Sequence, residues 1–144
     1  MFARNLFGFV FMMFVLIQAV NAGGQDGIKT YFNDTASKVK ATTDPAEKRE
    51  ILTKSLQTMT KALDKVQSLQ MISKEDQAGV DRFRAKLQEN QDELNGTNGY
   101  ERVSDSQLNA FSLYVVQDME QADTTITIGL VAALLIVIII ILLV

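Results

Sequence analysis

The chain has 144 residues with no cysteine, histidine or tryptophan and a single proline, Pro45. Lack of cysteine removes disulfide frameworks, zinc ribbons and thiol nucleophiles together, and without His or Cys any acid–base chemistry falls to carboxylates, Lys and Tyr. A net charge of −3 argues against nucleic acid as a partner, because neutralising phosphates needs clustered Lys and Arg.

Residues 1–22 have the layout of a cleaved secretory signal peptide. Arg4 supplies the positive charge, Leu6 to Ile17 forms a 12-residue apolar run, and Val20 and Ala22 occupy the −3 and −1 positions of a cleavage site. The run is short for an uncleaved membrane span. Residues 23–123 are then the expected extracytoplasmic domain, entered through the flexible Gly23–Gly27.

Ile28, Tyr31, Phe32, Ala36 and Val39 recur at helical spacing and predict a first helix over about 28–40. Asp44-Pro45-Ala46-Glu47 is a start signal. The Asp carboxylate accepts from free first-turn amides, and Pro at the first helical position wastes no amide hydrogen. The helix it opens is expected over 45–72. Along it Leu52, Leu56, Met59, Leu63 and Val66 alternate steps of four and three, a short coiled-coil seam. Such a seam serves either as bundle core, its ordinary use, or as a partner-binding face.

Ser73 reads as the cap of a third helix over 74–94. Val80, Phe83, Leu87 and Leu94 line one face of it; Asn90 and Gln91 interrupt that face, and Gly79 weakens the first turns. Asn95–Gly99 is turn chemistry. Ser104-Asp105-Ser106-Gln107 resembles a second capping box and opens a fourth helix over 105–123, with Leu108, Phe111, Val115, Met119 and Ala122 on one side. The expected fold is all-α: a small extracytoplasmic bundle, or short coiled-coil hairpin, of three to four helices.

The terminal run Ile126–Val144 holds 19 residues without a charge. As a helix it would span roughly 28 Å against about 30 Å of bilayer hydrocarbon. Nothing between Leu108 and this run is a strong helix breaker, so one long helix is expected to leave the bundle, with 124–144 as a single transmembrane helix. The domain would then face the extracellular or periplasmic side and the C-terminus the cytoplasmic face. A lipid-anchor signal is the alternative, but Ala122-Asp123-Thr124 leaves almost none of the polar spacer it needs. A buried core helix fits this length and purity poorly. Thr125, Gly129 and Ala133 are spaced by four, a small-residue pattern that permits close helix pairing and self-association; Gly and Ala are also simply common in membrane helices.

Charge divides unevenly. Lys29 to Lys65 carries eight Lys/Arg against five Asp/Glu, whereas Lys74 to Asp123 carries five against eleven. Basic and acidic helices folded antiparallel would complement each other; head-to-tail association of copies would use the same asymmetry. The carboxylates fall mostly on polar faces or near helix ends, where Glu75 and Asp76 suit the helix dipole. No phosphate-binding glycine loop, dinucleotide fingerprint or nucleophile elbow is present. A calcium loop around Asp92–Glu101 fails at its required ligand positions. No catalysis, cofactor, metal or small-molecule substrate is therefore expected. Asn33 and Asn95 head N-glycosylation sequons. The function expected is a membrane-tethered, non-catalytic helical interaction module for adhesion, tethering or scaffolding, its partners the membrane and a protein or second copy. Alternatives are a single-pass accessory subunit of a membrane complex and a lipid-anchored or released defence or stress factor.

Overall fold

Five helices, no strands and one 3-10 turn make up the described residues, 26–144, of the computed structural model; the predicted signal peptide lies outside them. The helices are α1 (Gly27–Ala41), α2 (Pro45–Ser68), α3 (Lys74–Asn95), α4 (Leu108–Thr125) and α5 (Ile128–Leu143), with the 3-10 turn Asp105–Gln107 leading into α4.

The start signals operate as side-chain caps in two cases. Asp44 accepts the Ala46 amide at 3.1 Å with Pro45 at the first helical position, and Ser73 accepts the Asp76 amide at 3.3 Å. Ser104 does not cap its helix; its hydroxyl meets that of Ser106 at 3.3 Å instead. α2 ends at Ser68, short of the expected Ile72, because Gln70 turns left-handed (φ 56°). There the Met71 amide reaches back to the Val66 carbonyl, and the Gln70 amide to that of Gln67. This is a glycine-type helix ending made without glycine.

α1 packs most extensively on α4, and α3 lies between α2 and α4. The core between these four is apolar. It contains Ile28, Tyr31 and Phe32 of α1, Phe83 and Leu87 of α3, and Leu108 and Met119 of α4, all at most 3% exposed. The whole α2 seam, Leu52, Leu56, Met59, Leu63 and Val66, is buried here too. Each fully buried side chain of this size favours folding by about 1.5–3 kcal/mol. Tyr31 keeps its hydroxyl satisfied by donating to the Ser55 carbonyl at 2.9 Å. Asn90 is the exception in this core, fully buried with neither amide atom hydrogen-bonded.

The terminal run departs from the expected path. α4 stops at Thr125, and Ile126 and Thr127 are extended (ψ 156° and 152°). α5 then folds back, chiefly against α2 and also against α1. It has 16 residues, about 24 Å of helix, and buries Leu130, Val131, Leu134, Leu135, Val137 and Ile138. Among the described residues no helix is long and apolar enough to cross a membrane. The single transmembrane helix expected from 124–144 is thus not what these residues form. Ile126 and Thr127 interrupt the helix, and one face of what remains is covered by the bundle.

Candidate functional site

Two features set the terminal helix apart: a polar corner that fixes where it starts, and the apolar face it leaves uncovered. The corner begins with Thr127, the N-cap of α5, whose hydroxyl oxygen accepts the Leu130 amide at 3.4 Å. Thr127 also donates twice to one carboxylate of α3: its amide to Asp76 Oδ1 at 2.8 Å, its hydroxyl to Asp76 Oδ2 at 2.7 Å. Asp76 is buried, and Ser73 Oγ donates to the same Oδ2 at 3.3 Å. Hydrogen bonds to a charged acceptor in such surroundings are the stronger kind.

Backbone proximity completes the corner. A Cβ on Gly79 would lie 2.5 Å from the Thr125 carbonyl oxygen and 2.9 Å from Ile126 Cγ2. Only glycine lets α3 approach this turn so closely. At the head of α1, a Cβ on Gly27 would instead meet side-chain ends of α5, Leu135 Cδ1 at 2.5 Å and Val131 Cγ1 at 3.1 Å, which can shift where backbone cannot.

The same end of the bundle holds a second carboxylate clamp. Asp123, near the end of α4, accepts the Ile28 amide at 3.1 Å and the Lys29 amide at 2.8 Å. It satisfies two of the free amides that open α1, a role Asp26 does not fill with its side chain. Burial pushes the Asp123 carboxyl up to about 6, against the downward pull of those two amides and with further raising from the charges of Asp26 and Glu120. Lys29 pairs with Glu120 at 3.0 Å on the rim.

The uncovered face of α5 runs through Ile128, Gly129, Ile136, Ile140 and Leu143. The four large residues are 52%, 47%, 52% and 62% exposed. Space beside Gly129 is open, with no atom within 4 Å of a hypothetical Cβ. Of the predicted self-association residues, Thr125 and Gly129 are exposed and Ala133 is half-buried. Thr125 belongs to α4 and the other two to α5, so one straight helix no longer carries all three. No residue from Thr124 to Val144 is charged, so the ridge is bare of the cations with which interfacial helices grip lipid head groups.

Elsewhere two charged side chains, Arg49 and Asp92, are committed to structure. Arg49 donates to the carbonyls of Leu94 (2.9 Å) and Val103 (2.8 Å) and to Asp105 (3.0 Å), closing the loop between α3 and α4 onto α2. Asp92 accepts from Thr97 (2.8 Å), Asn98 (3.0 Å) and Gln88 (3.1 Å). The Asn98 and Thr97 bonds hold its carboxyl below the usual range. Those oxygens organise the Asn95–Gly99 turn and are not turned outward as ligands. An open groove of about 490 Å³ lies beside Arg49, Glu50, Lys54, Asn95 and Arg102. Among the described residues no group of three His, Cys, Asp or Glu could hold a metal. Both sequon asparagines, Asn33 on α1 and Asn95 at the end of α3, are exposed.

Sequence reasoning missed Asp76 and Asp123 as clamps and Arg49 as a brace. A signal existed for the corner: Thr124-Thr125-Ile126-Thr127-Ile128 is an unbroken β-branched run, poor in helix propensity, and Thr127 is a capping residue type. Compared with known proteins, the chain matches no family model, no curated protein and no solved structure.

Proposed function

We propose that this chain is a non-catalytic helical interaction module of the secretory pathway, engaging its partner at or near a membrane surface through the outer face of α5. Its work is tethering or scaffolding. The observation that carries the reading is the uncharged ridge Ile128–Ile136–Ile140–Leu143, held outward on a helix whose start is fixed by the Asp76–Thr127 clamp. Soluble monomers rarely leave large contiguous apolar patches uncovered, and such patches mark sites of contact. Asp123 and Asp92, whose acidity is perturbed, hold a helix start and a turn in place, which favours binding over chemistry.

The test is native separation of extracts from cells expressing the full chain, wild type beside Ile136→Glu/Ile140→Glu. Both positions are exposed, so the fold should survive. The wild type is expected in an assembly larger than one chain or in the membrane fraction, and the variant free of it. Identical behaviour of the two would refute the reading.

A further inference from the structure

Resting on that reading, the geometry points to a partner for the ridge: a second copy of this chain, with the two α5 helices packed antiparallel about a two-fold axis. Three observations favour this occupant.

The first is shape. Past Ile128 at its start, the ridge has the small residues Gly129, Ala132 and Ala133 early and the large ones Ile136, Ile140 and Leu143 late. Antiparallel pairing centred between Leu134 and Leu135 sets Ile136 of one copy over Ala133 of the other and Ile140 over the open space at Gly129. An isologous interface requires this kind of self-complementarity, with residue i on j and j on i. Parallel pairing would set bulk against bulk and leave two facing notches.

The second is charge. α5 starts at an acidic corner of the bundle, beside Asp76 and near Asp123. A parallel pair would bring two such corners together. An antiparallel pair separates them by roughly the 24 Å of the helix, more than twice the Debye length at physiological salt. The ridge itself carries no charge, so it has neither a cation for anionic lipid nor a group to desolvate when buried against its own copy.

The third is area. The exposed parts of Ile128, Ile136, Ile140 and Leu143 with their small neighbours offer roughly 500–600 Å² per copy, or about 1,100 Å² for the pair, the lower edge of a specific interface. Interfaces at that edge are of the weak, reversible kind.

Sedimentation equilibrium of the purified full chain, combined with cysteine pairing, tests the proposal. The natural sequence has no cysteine, so every disulfide reports an introduced site. The chain is expected to dimerise reversibly between about 1 and 100 µM, with Ile140→Glu monomeric throughout. Chains carrying Gly129→Cys mixed with chains carrying Ile140→Cys should cross-link efficiently, whereas Leu143→Cys alone should not link to itself. Self-linking of Leu143→Cys without the mixed product would mean a parallel pair and overturn the arrangement. A monomer at 100 µM whose cellular assembly still depends on Ile136 and Ile140 would reject the second copy and leave the interaction module standing. A monomer with no such dependence would remove both.

Discussion

Replacing Gly79 by alanine sets two physical effects against each other. On helix propensity alone, Gly→Ala within α3 gains about 1 kcal/mol. The structure demands the opposite sign. The new Cβ would stand 2.5 Å from the Thr125 carbonyl oxygen, where an ordinary carbon–oxygen contact is about 3.3 Å or more. The obstacle is backbone, so no rotamer relieves it, and the α4–α5 corner must retreat by roughly 0.8 Å to restore that spacing. Such a retreat lengthens the bond from the Thr127 amide to Asp76, now 2.8 Å, past the usual limit of about 3.2 Å. Overpacking costs about 1–3 kcal/mol, and a weakened bond to a buried carboxylate costs about 1.5–3 kcal/mol more at its full value. Net destabilisation of about 1–3 kcal/mol is expected after the propensity gain. Gly129→Ala is the control, because it enters open space and should gain up to about 1 kcal/mol at concentrations where the chain is monomeric. Urea unfolding followed by circular dichroism gives the stabilities, and amide exchange at Thr127 and Leu130 reports the corner. Gly79→Ala as stable as wild type, with Thr127 still protected, would refute the close-approach argument.

Three further outcomes are expected. Asp123 has a folded value of about 6 against its usual 3.8, so the folded chain binds the proton more tightly. Its contribution is fully present below about pH 4 and is lost as pH rises through about 6, an effect of up to ~3 kcal/mol. The stability of wild type relative to Asp123→Asn should therefore grow as pH falls from 7 to 4, and a constant difference would contradict the buried carboxyl. Asn90→Leu removes an unsatisfied buried amide from the core and should raise stability by about 1–2 kcal/mol; a loss in urea titrations would mean that the amide is hydrogen-bonded after all. Arg49→Lys cannot reproduce the two-carbonyl fork and should cost about 1–3 kcal/mol, with amide exchange accelerated in residues 96–104; unchanged exchange there would show that the loop is held by Asp92 alone.

Local signals in this chain predict what is local. Asp44-Pro45 and Ser73 mark helix starts by chemistry confined to one turn, and α2 and α3 begin where these residues say. The α2 seam announces a buried face because its period is set within the helix. What could not be read depends on groups distant in sequence. Asp76 looks like a first-turn carboxylate favouring its own helix dipole until Thr127 is seen 51 residues away. Asp123 looks like one more charge on an acidic helix until it is found capping α1 across 95 residues. The terminal run departs from its expected path for a related reason. Hydrophobicity measures how strongly a segment avoids water, not whether lipid or protein provides the shelter, and the break at Ile126–Thr127 needs tertiary partners to make it favourable. Gly79 likewise looks like a weakness of α3 unless the carbonyl it accommodates is known.

The cap that Asp123 places on α1 also bears on how the chain folds. The amides of Ile28 and Lys29 find their acceptor 95 and 94 residues away, and α4 is the chief packing surface of α1. A 15-residue helix is marginal in water by itself, so α1 is not secured until the loop from first helix to fourth has closed. Local helical hairpins reward each step as it forms; here the entropy of a long closure is spent before the return arrives. This bundle should accordingly fold more slowly than its helical content alone would suggest. Its first helix should become protected only late, together with the last turn of α4.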